Sequence, residues 1–321
     1  MIWVRGGAAV VEAMARRPEV ARVSANPSVA MELPSPERRS SHSPLFPQVE
    51  PNIEVTGVPE VFWEAGVFGE GAVIGGQDTG YDWDHSALID TYRGNGLSVD
   101  HNYNWHDSIH GGGGVCGADS AEPCDDFGHG THTMGTMTGF DGGSNWIGMA
   151  PAAKWIGCRN MNVGAGTPTT YSECFQWFLA PTDLNDQNPD PARAPHVINN
   201  SWSCPPSEGC TDPNILETVV QNVRAAGILV VVSAGNSGSG CSSVSTPSAI
   251  YDESFTVGAT NNSDTIASFS SRGPVTVDGS GRLKPDISAP GVGVRSASPG
   301  GGYTSSSGTS MAGPHVAGMA A

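Results

Sequence analysis

The sequence predicts an α/β fold: a doubly wound, mainly parallel sheet with helices on both faces. Three observations predict it. Short apolar runs recur along the chain, at residues 71–76, 154–161, 196–201, 229–232 and 254–259, and read as buried strands. Segments with helical spacing stand between them, at 129–137, 171–179 and 213–226; the last has Pro213 near its first turn and Gly227 at its close. Strands that alternate with helices imply right-handed βαβ units and therefore parallel pairing. The 43 glycines point the same way, to tight turns and close backbone approaches rather than a helical bundle, and they follow no Gly-X-Y period.

The chain divides into three parts. Residues 1–33 read as a short module: Val10, Val11, Ala13 and Met14 suggest a helix, and Val20, Val23 and Val29 an extended segment. Residues 34–51 carry Pro34, Pro36, Pro44, Pro47 and Pro51 among serines and charges, which marks a linker, with Arg38-Arg39 as a basic pair within it. Residues 52–321 form the main domain.

Composition excludes several functions. The formal net charge is −17, with Lys154 and Lys284 the only lysines. Such a surface repels phosphate backbones and anionic lipid, so neither nucleic acid nor membrane is an expected partner. The longest apolar run, 227–232, is far too short to cross a bilayer. The start of the chain lacks a signal peptide's basic end and apolar centre, and only eleven residues follow Ser310, so the sequence is expected to be a fragment truncated at both ends.

All seven cysteines lie in the main domain. Cys116 and Cys124 bracket one short loop and Cys204 and Cys210 another, spacings that suit local disulfides in an oxidising compartment. Zinc ligation is the disfavoured alternative, because His106 and His110 have H-x3-H spacing but no C-x2-C pair completes a finger. An odd count leaves one thiol free or paired outside this sequence.

Four segments carry candidate chemistry. Gly75-Gly76-Gln77-Asp78-Thr79-Gly80 puts an aspartate on a glycine turn after a strand, and Gly128-His129-Gly130-Thr131-His132 puts a histidine at a helix start. Ser233-Ala234-Gly235-Asn236-Ser237 puts an asparagine after an apolar strand, and Gly308-Thr309-Ser310-Met311-Ala312-Gly313-Pro314-His315 puts a serine at the opening of a helix. Catalytic groups on parallel sheets gather at the carboxyl ends of strands, where Asp78 and Asn236 are expected. A serine hydroxyl needs a base to attack a carbonyl. An imidazole can take its proton, and a carboxylate can hold that imidazole in the right tautomer.

In this order the segments resemble those of the subtilisin-like serine peptidases, and among these the bacillopeptidase F type. Asn199-Asn200-Ser201-Trp202, Phe269-Ser270-Ser271-Arg272-Gly273-Pro274 and Lys284-Pro285-Asp286-Ile287-Ser288-Ala289-Pro290-Gly291 agree with it. The chain order Asp, His, Ser is that of subtilisin. The resemblance implies a secreted serine endopeptidase with Asp78, His129 and Ser310 as catalytic triad and Asn236 as oxyanion-hole donor. It implies protein or peptide substrates lying along Ser201, Trp202, Ser203 and Gly235. Ser203 stands where relatives usually have glycine, so a narrowed first specificity pocket is expected.

The resemblance also implies that residues 1–33 are the end of an inhibitory propeptide that assists folding, with maturation in the linker. Catalysis needs no cofactor. Structural calcium, common in relatives, fits the acidic loops, although no EF-hand pattern is present.

Each residue has an ordinary structural reading. Asp78 fits a turn, His129 a helix start, Asn236 a turn and Ser310 an N-cap; their joint order favours chemistry. His132 and His315 read as packing or hydrogen-bonding groups, and His101, His106 and His110 as part of a surface loop. An inactive homologue acting as a binding module is the alternative function. A metal-dependent hydrolase is a second, but no H-E-x-x-H is present.

Overall fold

The computed structural model describes residues 2–33, 48–112 and 114–321. Most of the expected linker, including Pro34, Pro36, Pro44, Pro47 and Arg38-Arg39, lies outside the described residues. Helix α1 (Ala8–Ala15) and a two-residue strand β1 (Val29–Ala30) come first. They are followed by β2 (Val73–Asp78), β3 (Trp105–Asp107), α2 (His129–Thr138), β4 (Lys154–Arg159) and the short strands β5 (Met161–Asn162) and β6 (Ala165–Gly166). Then come α3 (Pro168–Leu179), β7 (Val197–Asn200), α4 (Glu217–Ala225), β8 (Leu229–Ser233) and β9 (Ser254–Thr260). The chain closes with β10 (Ile287–Pro290), the antiparallel pair β11 (Val294–Ser298) and β12 (Gly302–Ser306), and α5 (Thr309–Met319).

Seven strands form one parallel sheet in the order β10-β9-β8-β7-β2-β4-β3. From β2 the chain builds outward to β3 and β4 on one side, then returns to β7 on the other. The order therefore reverses beside β2, where open α/β sheets form their clefts. Alternation along the strands feeds two cores. Val230 and Val232 face Phe175, Phe178, Val219 and Val223 of α3 and α4. Val231 faces Met134 and Met137 of α2 and Ala312 and Val316 of α5. Both faces of each central strand are thus apolar, which is why the strands read as continuous hydrophobic runs.

Local structure departs from expectation in three places. The helix expected over 213–226 starts at Glu217, because residues 213–216 form a turn. Tyr251 captures that turn: its hydroxyl accepts from the Leu216 N–H at 3.1 Å and donates to the Pro213 carbonyl at 2.8 Å. The extended segment expected from Val20 to Val29 shrinks to Val29–Ala30, where β6 offers an antiparallel partner. The surface loop expected around His101, His106 and His110 contains β3, an edge strand of the main sheet. Its Asp107 is buried and receives Arg159 Nε and Nη2, each at 2.9 Å, so the strand is tied to its neighbour by a bidentate ion pair.

Cys116–Cys124 and Cys204–Cys210 are disulfides, as their spacing suggests. A third, Cys158–Cys174, cross-links β4 to α3, and Cys241 is an exposed free thiol. His132 and His315 are buried and hydrogen-bonded. His132 Nε2 donates to the Val294 carbonyl at 3.1 Å. His315 Nδ1 donates to the Met311 carbonyl at 2.9 Å, and its Nε2 accepts from the Asn52 amide at 3.0 Å. Burial, with the neighbouring His129 as the next cause, lowers the His132 pKa to about 3, and burial lowers that of His315 to about 4. Both are neutral packing groups.

His106 and His110 converge on one carboxylate: Glu173 Oε1 of α3 lies 2.8 Å from His106 Nε2 and 2.9 Å from His110 Nε2. His106 Nδ1 lies 3.4 Å from Asp186, and His110 Nδ1 lies 2.6 Å from Asp119. Among the described residues no group of three or more His, Cys, Asp or Glu side chains is placed to hold a metal ion. Burial works to lower the His110 pKa, but the hydrogen bonds and charges of Asp119 and Glu173 outweigh it and raise the value to about 9. A histidine with a raised folded-state pKa stabilises fully below the ordinary value of about 6.5 and loses that contribution as pH rises through about 9. Wild type should therefore exceed His110→Gln in denaturant midpoint at pH 6, and the gap should close by about pH 9. Solvent around His110 keeps the difference small. Paired unfolding titrations at the two pH values check this.

Candidate active site

The site begins with a close approach of two backbones. Strand β2 ends at Asp78, and Gly80 follows at φ +107°, a conformation that side chains rarely adopt. A Cβ on Gly130, in the first turn of α2, would collide with the Gly80 carbonyl. These glycines let the strand end and the helix start come close enough for their side chains to meet. His129, the first residue of α2, places Nδ1 2.7 Å from Asp78 Oδ1, and both side chains are 1% exposed. Asp78 Oδ1 also accepts from the Thr79 N–H at 2.8 Å. Nδ1 donates to the carboxylate, and Nε2 is buried and has no hydrogen-bond partner among the described residues.

Asp125 holds this junction, and sequence reasoning gave it no role. Its Oδ1 accepts from Thr79 Oγ1 (2.9 Å), the Phe127 N–H (3.0 Å) and the Gly128 N–H (2.7 Å). Its Oδ2 accepts from the Thr131 N–H (2.9 Å) and hydroxyl (2.6 Å). Thr79 Oγ1 in turn accepts from the Gly130 N–H at 2.9 Å. One carboxylate thereby satisfies orphan donors at the helix start and fastens the loop that carries Asp78. An acidic residue just before a helix start was the available signal; its hold on Thr79 is a tertiary contact with no sequence signature.

Ser310 is the second residue of α5 and is 5% exposed. Its Oγ donates to the Ser201 carbonyl at 3.0 Å and makes no hydrogen bond to His129. Ser201 anchors the helix in return: its Oγ donates to the Ser310 carbonyl at 2.9 Å and accepts from the Asn199 amide at 2.9 Å. The structure thus joins Asp78 to His129 and brings Ser310 to the neighbouring cavity, with its hydroxyl turned to Ser201.

Asn236 lies in the turn after β8. Its Oδ1 accepts from the Thr309 N–H at 2.9 Å and the Thr309 hydroxyl at 3.0 Å. The backbone donor identifies that atom as oxygen and leaves Nδ2 facing the cleft. The Gly235 N–H lies 3.2 Å from Thr309 Oγ1. Thr309 therefore couples the asparagine turn to the serine helix, a contact its place beside Ser310 in the sequence does not reveal.

The predicted substrate-side residues Ser201, Trp202, Ser203 and Gly235 all line one cavity, together with Asn236 and Ser310. Trp202 is also a packing residue: its ring stacks on Tyr171 at 3.9 Å between centroids. A second cavity is lined by His129, Met311 and Pro299.

Residues 22–33 lie along this cleft. Arg22 and Ser24 contact Asp212, at 3.2 Å each, and Asn26 Oδ1 accepts from the Thr169 N–H at 2.8 Å. Val29 and Ala30 pair antiparallel with Gly166 and Ala165, and the Met31 N–H donates to the Gly164 carbonyl at 2.8 Å. The Glu32 carbonyl then lies 3.5 Å from Asn236 Nδ2.

The sequence pattern of Peptidase S8, the subtilase family, matches residues 69–321. Bacillopeptidase F of Bacillus subtilis (strain 168) is 41% identical over 283 residues, covering 85% of this chain and 18% of that protein. Serine protease AprX of the same organism is 36% identical over 225 residues, covering 62% of this chain and 49% of that one. Subtilisin E, also of that organism, is 34% identical over 216 residues, covering 67% and 50% respectively. The chain therefore spans less than two thirds of each relative's length. With the family pattern covering the whole parallel sheet and all four candidate segments, the chain belongs to the subtilase family.

Proposed function

We propose that this chain is the catalytic part of a secreted serine endopeptidase. The observation that carries the reading is the buried 2.7 Å contact between Asp78 and His129 Nδ1, with His129 Nε2 buried and without a hydrogen-bond partner among the described residues, beside the cleft that holds Ser310. Rotation of the Ser310 side chain away from the Ser201 carbonyl would direct Oγ to Nε2. His129 takes the hydroxyl proton as Oγ attacks the peptide carbonyl, then passes it to the leaving amine. Asp78 orients the ring and stabilises its charged form. The developing oxyanion is met by Asn236 Nδ2 and the Ser310 N–H, at the start of a helix whose dipole favours negative charge. Water hydrolyses the acyl-enzyme by the same steps in reverse.

Residues 1–33 are the end of an inhibitory propeptide in this reading, 34–51 a linker, and 52–321 the peptidase domain. The docked segment 22–33 supports the first assignment, since it blocks the cleft with substrate-like strand pairing. The three disulfides support an extracellular location. No described helix is long and apolar enough to cross a membrane. Protein and peptide substrates are the expected partners. Catalysis requires no cofactor, and any calcium has a structural role in this reading, with no ligand set assigned.

A fluorophosphonate probe tests the reading against that of an inactive binding module. Once limited proteolysis has removed the segment that fills the cleft, covalent labelling at Ser310, abolished in Ser310→Ala, is expected of the enzyme; a folded protein freed of that segment and still unlabelled refutes it. Asn236→Ala should lower kcat by about 10²–10³ with little change in KM, the range established for this kind of donor in subtilisin. Thr309→Val keeps the backbone donor to Asn236 but deletes the hydroxyl. Loss of one ordinary hydrogen bond from the support of Asn236 should lower kcat about 3–10-fold. Steady-state kinetics on a peptide substrate check both.

A further inference from the structure

The segment in the cleft has a defined register, and this locates one particular bond at the candidate catalytic groups. Residues 29–31 are held by backbone pairing to Gly164, Ala165 and Gly166. The next carbonyl, that of Glu32, faces Asn236 Nδ2 at 3.5 Å. Glu32 lines the cavity that contains Ser310 and Asn236, whereas Leu33 lines the cavity that contains His129. The peptide bond between them passes from the oxyanion side of the site to the imidazole side. A scissile bond needs that placement: its carbonyl oxygen lies toward the amide donor and its leaving nitrogen toward the group that protonates it.

A second contact sets the register from outside the catalytic groups. Glu208 sits toward the far end of the five-residue loop closed by Cys204–Cys210. Its Oε2 accepts from the Ala30 N–H at 2.9 Å. Val29 and Ala30 turn their other backbone edge to β6, so Glu208 takes the outward-facing amide that a strand on the opposite side would otherwise accept. A charged acceptor on a backbone donor makes a stronger bond than a neutral carbonyl. It recognises any residue with a free N–H at that place, whatever its side chain, and it rejects proline there.

We propose that Glu32–Leu33 is the bond this chain cuts in itself, and that Glu208 sets the register by holding the amide of the third residue before the cut. The proposal rests on the peptidase reading above, and it puts the maturation bond just before the expected linker. The chemistry is complete with water. Ser310 Oγ bonds to the Glu32 carbonyl carbon as its proton passes to His129. The Glu32–Leu33 C–N bond then breaks, and the Leu33 nitrogen leaves with that proton. Water releases Glu32 as a free carboxylate and restores the Ser310 hydroxyl. The new carboxyl end keeps its contacts with Asn236, Gly164 and Glu208, so the product peptide acts as an inhibitor until it dissociates.

The test uses the full precursor. Intact mass and N-terminal sequencing of the purified wild type should show a fragment ending at Glu32 and a mature chain starting at Leu33, while Ser310→Ala stays uncut. A synthetic peptide spanning Val29 to residue 36 should be cut after Glu32. On that peptide Glu208→Ala should raise KM about 3–10-fold with kcat nearly unchanged, and Glu208→Gln, which keeps an acceptor oxygen, should recover most of the loss. N-methylation of the alanine that corresponds to Ala30 should weaken binding to wild type and have no further effect on Glu208→Ala. A mature chain that starts elsewhere, while Ser310 still labels with the probe and external peptides are cut, overturns the bond assignment and leaves the peptidase reading standing. Equal KM for wild type and Glu208→Ala overturns the register role. A folded protein whose Ser310 stays unlabelled even after residues 1–32 have been removed by limited proteolysis overturns both the proposal and the reading beneath it.

Discussion

The constraint on which the rest of the site depends is the meeting of the β2 end with the α2 start. A 2.7 Å contact between two fully buried side chains tolerates little error in either backbone. Gly80 and Gly130 provide the clearance, and Asp125 provides the hold, by accepting five donors drawn from both sides of the junction. The charge of Asp125 lies where the partial positive charge of a helix N-terminus favours it. The same arrangement that stabilises the helix start therefore orients the imidazole.

The serine side is assembled by a different device. Helix α5 packs on the face of the sheet that also receives α2, and its first residues are tied to two strand ends. Ser201 ties it to the end of β7, and Asn236 with Gly235 ties it to the end of β8. His315, further along the helix, receives the Asn52 amide and so fastens the segment that follows the linker. The buried histidines that serve only this packing are held neutral by desolvation. His129 differs from them in carrying a carboxylate on one nitrogen, where His132 and His315 carry a backbone carbonyl.

The cleft is lined by elements from distant parts of the sequence, and the N-terminal segment reaches it along several of them. It contacts Asp212 near α4, Thr169 at the start of α3, the β6 edge, the Cys204–Cys210 loop and finally Asn236. Most of these contacts are made by main chain on one or both sides. Recognition of this kind depends on extended geometry more than on side-chain identity.

Much of the architecture could be read from local pattern. The apolar runs, each buried on both faces, carried enough information to predict a parallel sheet. The motifs around Asp78, His129, Asn236 and Ser310 kept their order because each stands at a strand end or a helix start, where local geometry is encoded locally. The short cysteine spacings foretold two disulfides. Tertiary contacts decided the rest. Only the assembled sheet could show that Trp105–Asp107 is an edge strand, since its pairing with β4 and its ion pair to Arg159 span about fifty residues of chain. Only the fold could show that Cys158 meets Cys174, that Tyr251 shortens α4, or that Thr309 and Asp125 hold the candidate site residues in place. Periodicity and turn chemistry act over a few residues and are written in the sequence. Which distant groups share a few ångströms is decided when the two cores close, and no window along the chain contains that information.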